Sequence, residues 1–415
     1  MKLFKNIGIL TIGNFISYGI IFLGIILLSR LYTPEEFGTY AVVLGAASIV
    51  SAVSSFRYEM TILLPKRETI AQLALRLSFL TTCLVHSLGL LIILLVVLAS
   101  SSPLYWLYLP FTSFFFSIIN IGSFLQNRHK SYVRIVVVQI GRALLFVLTA
   151  LLLSWSDSSE NSLITAMFIS VFFPGLLLLL IDFRRSNAFK GLFRKLQLVF
   201  WMKKNSKFFY YSTPAVLLNS LASQAPVFLL TFFMDASVAG YYSIVERVVM
   251  APVILISSAV NKVYMQSITA RIANGSQIYP FTTSLIKKFI LPSFLISLLM
   301  LLIFSFDILE ILLGERWKGI DTLSMVMIPT LFVSFVARSI SGFAVLNRNE
   351  LGLIYQAILF LLVSLAVVIS TSFSDRPFVV FSAISFSLSL CLIGQAYSIL
   401  NISQKIDEKL RGKVL

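Results

Sequence analysis

Twelve stretches of the chain are apolar with no alternation of polar residues: roughly 7–31, 38–56, 73–99, 104–125, 133–154, 163–182, 209–233, 239–261, 289–312, 322–346, 351–372 and 378–401. A strand of a membrane barrel alternates lipid-facing and lumen-facing side chains with a period of two. Runs that are apolar on every face therefore predict helices, whose backbone groups are all satisfied within the segment. About 20 residues of helix cross a bilayer. The pattern predicts an all-α polytopic membrane protein with twelve transmembrane helices.

Composition agrees. Of 415 residues, 58% are hydrophobic and 12% charged, and the mean hydropathy is +0.94. Soluble domains carry about 25% charged residues, so a water-soluble fold is excluded. The net charge of +16 raises nucleic acid as a partner, but the distribution of the charge argues against it. Of the 33 Lys and Arg residues, 26 fall at the N-terminus or in alternate connections, 3 in the opposite set (Arg316, Lys318, Arg376), and 4 within spans. Such asymmetry places both termini in the cytoplasm. The basic start MKLFKNIGIL runs on to about Leu31 without a small-residue cleavage site, which reads as an uncleaved first span. Cys83 and Cys391 lie singly in apolar runs, with no disulfide framework and no metal spacing.

The chain repeats itself. LLSRLYTPEEFGTY aligns with LLTFFMDASVAGYY at an offset of 202, pairing Gly38 with Gly240 and Tyr40 with Tyr242. GSFLQNR aligns with GFAVLNR at an offset of 220. A six-plus-six duplication follows, with parallel repeats because six is even. The expected organisation is an N-terminal lobe over 1–182, a basic amphipathic cytoplasmic linker over 183–208, a C-terminal lobe over 209–401 and a tail over 402–415. The lobes would be related by a pseudo-two-fold axis around a central cavity. In the linker, Phe189, Leu192, Phe193, Leu196 and Phe200 recur at helical spacing among Lys190, Arg194 and Lys195, as in a helix lying on an anionic leaflet.

No phosphate-binding GxxxxGK[ST] loop, HExxH, CxxC or GxSxG is present. The longest connection on the less basic side is LGERWKGID, too short for an extramembrane catalytic domain. The expectation is a transporter, not an enzyme, with no cofactor and no metal.

Candidate function therefore rests on polar groups inside the spans, where a charge costs at least about 2.5–3.5 kcal/mol. Arg247 lies deep in the eighth span beside Glu246 and heads a stripe with Met250, Ile254, Ser258 and Asn261. Arg30, Arg142 and Arg338 are also intramembrane; each either reaches a substrate or snorkels to an interface. Thr11, Asn14 and Tyr18 share a face of the first span, and Asn219 with Ser223 and Ser220 with Gln224 share faces of the seventh. These stripes either line a wet cavity or join helices by hydrogen bonds. Pro214, Pro226, Pro252 and Pro292 are expected to interrupt helices of the second half.

LSRLYTPEEFGTYAVV resembles the first-to-second-span hallmark of bacterial polysaccharide exporters, and residues 208–266, FFYYSTPAVLL through NKVYMQ, resemble the seventh and eighth spans of O-antigen and capsule flippases. NRHKSYVRIVVVQIGRA and GERWKGID resemble two of their loops. The resemblance implies the multidrug/oligosaccharidyl-lipid/polysaccharide exporter superfamily, and movement of an undecaprenyl-diphosphate-linked oligosaccharide between leaflets of the bacterial inner membrane by alternating access. It implies Arg30, Arg247 and Arg57 as cavity cations, and a polysaccharide polymerase and chain-length regulator as partners alongside membrane lipids; Glu246 is a candidate for cation coupling, for which the resemblance is not diagnostic. Two alternatives are a cation-coupled drug exporter of the same superfamily and a polysaccharide polymerase.

Overall fold

The computed structural model describes residues 2–100, 103–155, 161–184, 186, 195–342 and 350–411. Among these no strand occurs. The chain divides by internal contacts into two units, Met1–Gln224 and Ala225–Leu415.

The first unit contains α1 (Lys2–Ser29), α2 (Pro34–Val53), α3 (Glu68–Ser100), α4 (Tyr108–Arg128), α5 (Tyr132–Leu153), α6 (Ser162–Leu178) and the short α7 (Lys195–Lys204). Helix α8 (Thr213–Phe233) carries the boundary at Gln224. The second unit contains α9 (Ala236–Ala273), α10 (Tyr279–Ser305), α11 (Ile308–Leu313), α12 (Ile320–Val326), α13 (Ile328–Ile340), α14 (Glu350–Phe373) and α15 (Pro377–Arg411). Ten helices among the described residues are long and apolar enough to cross a membrane, and the pair α12 and α13, bent by 47°, makes an eleventh span. The predicted eighth span lies inside α9, whose 38 residues reach about 57 Å at 1.5 Å per residue. Ten or eleven of the twelve apolar runs thus fall on helices long and apolar enough to cross a membrane, and the eighth lies inside α9.

Lipid explains the outer faces. Leu84, Leu88, Leu91, Leu95 and Leu98 of α3 are all exposed, a surface tolerable only in hydrocarbon. The interior of the first unit gathers Ile118, Ile121 and Leu125 of α4 with Leu75 of α3, Val171 of α6, and Tyr58 and Ile62 of the 3₁₀ turn between α2 and α3. Helix α1 lies along α5. In the second unit α13 packs against α9, α10 and α15. Hydroxyls join these helices, as expected where apolar burial offers no drive between them. Thr330 of α13 meets Ser385 of α15 at 2.8 Å, and Ser293 of α10 donates to the Phe332 carbonyl at 2.7 Å.

The offset of 202 pairs two helix caps. Thr33 caps α2 by accepting from the Glu36 amide, and the Glu36 carboxylate accepts from the Thr33 amide at 2.7 Å. Asp235, at the offset of 202 from Thr33, caps α9 by accepting from the Val238 amide at 2.8 Å.

Three expectations are corrected. Helices α8, α9 and α10 run unbroken through Pro226, Pro252 and Pro292, and Pro214 follows a π-helical turn, Phe208–Ser212, that leads into α8. The sharp bend is instead at Met327, between α12 and α13. Lys287 and Lys288 are not in a connection but within α10, which starts at Tyr279. Of the linker, residues 187–194, with Phe189, Leu192 and Phe193, lie outside the described residues. The rest forms α7, which turns Leu198 and Trp201 into the protein core and leaves Phe200 66% exposed. The Trp201 indole donates to the Thr61 hydroxyl at 3.2 Å, fastening α7 to the first unit.

Candidate functional site

Within the first unit, the arginines sit in three different environments. Arg30 follows the end of α1 and is exposed. Arg57 lies in the turn after α2, where Phe56 (φ 49°) and Arg57 (φ 61°) are both left-handed. Two successive non-glycine residues in that region store strain of order 1–3 kcal/mol each. The turn directs Arg57 onto Glu59 at 3.1 Å, and the Glu59 carboxylate, with 0% exposure, also takes the Ser55 hydroxyl. Sequence reading missed Glu59, since it stands outside the apolar runs and is buried only because the 3₁₀ turn folds inward. Arg142 lies ten residues into α5, with its guanidinium 4.8 Å over the Phe116 ring and its Nε buried without a hydrogen-bond partner.

A second missed group lies at the end of this unit that bears its basic connections. The Asp182 carboxylate accepts from the Gln126 amide at 2.8 Å and from Arg134 at 2.9 Å, while Arg128 pairs with Glu68 at 3.0 Å. Glu68, Gln126, Arg134 and Asp182 border a cavity of about 680 Å³ together with His129 and Ser131. Its only sequence signal is polar residues flanking span ends, which does not distinguish it from ordinary loops.

Among the polar-stripe residues of this unit, Asn14 and Gln224 are half-buried, whereas Asn219 and Ser223 are exposed.

In the second unit, α9 and α13 lie side by side and bring together Glu246, Arg247 and Arg338. Glu246 stands within electrostatic range of both arginines. Glu246 and Arg247 are half-buried and Arg338 is exposed. The stripe descending from Arg247 does not stay free to its end: the Asn261 side chain accepts from the Gly342 amide at 2.9 Å and ties α9 to the end of α13. That residue serves helix packing, not a wet face. The arrangement of one carboxylate between two guanidiniums leaves net positive charge, suited to an anionic group and hostile to a cationic one.

The model of a family described as polysaccharide biosynthesis protein matches residues 27–322. The chain belongs to that family. The match takes in Arg30, Arg57, Arg142 and the Glu246-Arg247 pair, and stops short of Arg338. No curated protein matches the sequence. The fold is shared with solved transporters of low sequence identity. The lipid II flippase MurJ in an inward closed conformation is 11% identical over 97% of this chain and 90% of that one, with a TM-score of 0.74. An inward-facing multidrug resistance MATE family transporter of the MOP superfamily is 11% identical over 94% and 95%, at 0.66. A MOP superfamily transporter from Pyrococcus furiosus, noted for the reverse polarity of its binding pocket, is 12% identical over 97% and 96%, at 0.60.

Proposed function

We propose that the protein is a flippase that carries an undecaprenyl-diphosphate-linked oligosaccharide, an O-antigen or capsule repeat unit, from the cytoplasmic to the periplasmic leaflet of the bacterial inner membrane. The observation that supports this most is positive charge placed in the spans of a polysaccharide-biosynthesis family member, with Arg247 and Arg338 flanking a single carboxylate. A diphosphate needs charge-assisted donors in a poorly hydrated setting, and guanidinium forks supply them. In this reading Arg247 and Arg30 hold the diphosphate, with Arg57 and Arg338 as further cationic contacts. Arg142 belongs with them among the cations that meet the substrate. Asn14, Asn219 and Gln224 offer hydrogen bonds to the sugars. A cationic-drug exporter would want free carboxylates, but Glu59 and Asp182 are each paired with an arginine.

The protein would have both termini in the cytoplasm. Reporter fusions after Ser156 and Asp235 are then expected to read as periplasmic and fusions after Arg194 and Leu346 as cytoplasmic; an inversion at any of the four overturns the orientation.

With no ATP-binding motif in the sequence, the energy for transport would come from the membrane. A diphosphate diester carries about two negative charges, and each is worth about 2.3 kcal/mol per 100 mV, so with the inside negative outward movement is favoured by about 4–5 kcal/mol per 100 mV. Reconstitution in proteoliposomes with a lipid-linked oligosaccharide tests both flipping and its drive. The expected result is translocation that rises with a potassium-diffusion potential of the right sign. A rate indifferent to potential, scaling instead with a proton or sodium gradient and losing that dependence in Glu246→Gln, would assign the drive to Glu246.

A further inference from the structure

Inside the first unit, α2, α4, α5 and α6 line a half-open chamber of about 280 Å³. Its polar wall is Ser51, Asn120, Ser123, Gln126 and Gln139, and Arg142 is its one charged residue. Two buried atoms of this wall have opposite unmet needs: Arg142 Nε is a donor without an acceptor, and Gln139 Oε1 an acceptor without a donor. Neighbouring arginines show what is missing. Arg57, Arg128 and Arg134 each meet a carboxylate at 3.1 Å or less, at Glu59, Glu68 and Asp182. Arg142 has no carboxylate within ion-pair distance among the described residues, and its guanidinium lies 4.8 Å over the Phe116 ring. Water in the chamber can satisfy hydrogen bonds but cannot balance a charge held in a low-dielectric wall.

We propose that this chamber is an anion subsite, built to receive a phosphate or carboxylate group on Arg142 with Gln139 and the Asn120, Ser123 and Ser51 side chains completing its hydrogen bonds. The Gln139 amide can present its NH₂ to an anion by a simple flip, because O and N exchange places at no steric cost. A cation is excluded by the arginine. Gln126, already held by Asp182, lines both this chamber and the larger polar cavity at the basic end of the unit. The group arrives from one of two sources: a free inorganic anion, or an acidic substituent on the sugar of the transported glycan. The second source rests on the flippase reading; the anion site itself does not.

Titration of the purified full-length protein in nanodiscs with inorganic phosphate, with glucuronate and with glucose, at constant ionic strength, tests this by ³¹P and ¹H NMR. Saturable binding of phosphate, glucuronate or both is expected, with none for glucose. Losing a hydrogen bond from a charged donor should weaken binding about tenfold or more in Arg142→Leu, and less in Gln139→Leu. The binding component lost in Arg142→Leu should persist in Arg247→Ala, which separates this site from the proposed transport arginine. Phosphate alone points to a free ion, and glucuronate alone to a sugar acid. Arg142→Leu should also melt no lower than wild type without ligand, since an apolar replacement of an uncompensated buried charge is neutral or stabilising. Failure of both anions to saturate, or equal binding by Arg142→Leu, overturns the proposal. So does a Leu variant that melts well below wild type while Gln139→Leu binds normally, because Arg142 would then serve packing against Phe116.

Discussion

Arg247→Ala should abolish surface glycan while the protein remains in the membrane. Arg247 sits on α9 beside Glu246, and Arg338 of the adjoining α13 is within electrostatic range of that carboxylate. Removing Arg247 leaves one guanidinium against one carboxylate, a site with no net charge for a diphosphate. Losing a charge-assisted hydrogen bond to the diphosphate costs about 1.5–3 kcal/mol, enough to lower substrate occupancy about tenfold or more. Arg247→Lys should keep part of the activity, since the charge survives and the planar fork does not. Immunoblots of the membrane fraction beside surface-glycan staining of a complemented deletion strain make the measurement. Normal glycan with the Ala variant would remove Arg247 from the transport path.

The largest stability effect is expected where α1 lies on α5. A Cβ at Gly13 would collide with the branched side chain of Val136, 2.9 Å from its Cβ, and one at Gly24 would collide with Val147. Both pairs are eleven residues apart, three helical turns, so the two glycines form one flat strip that lets the helices approach. Gly13→Leu and Gly24→Leu should each destabilise by about 1–3 kcal/mol, and more together, because valine on a helix has one strongly preferred rotamer and cannot swing away. Gly19 lies on the same helix with nothing within 4 Å of its would-be Cβ. Gly19→Leu should therefore melt as wild type does. Thermal unfolding followed by retention of monodisperse protein after heating decides it; equal melting of all three variants would show that the strip does not govern α1–α5 contact.

Much of the site was legible before any coordinates. Arg247 and Glu246 announce themselves because charge inside an apolar run is costly, and Thr33 and Asp235 because caps are local. Glu59, Asp182 and Asp407 did not. Glu59 is buried by a strained turn, and Asp182 is satisfied by Gln126 and Arg134, distant in sequence. Asp407, in the last turns of α15, accepts from the Ile278 and Tyr279 amides at 2.8 and 2.9 Å and so closes the start of α10 from 128 residues away. Asn261 misled for the same reason: its partner, the Gly342 amide, is on another helix.

Sequence alone determined the apolar runs, their helical character and the basic asymmetry. Each follows from solvent: lipid demands unbroken apolar helices, and membrane insertion sorts basic residues to one side. Tertiary structure alone decided that the prolines of α8, α9 and α10 do not break their helices, that α7 is bound to the first unit through Trp201, and that Arg142 faces a polar chamber without a countercharge. A local pattern records what a residue costs in lipid. Which neighbour offsets that cost, or whether any does, depends on helices brought together from distant parts of the chain.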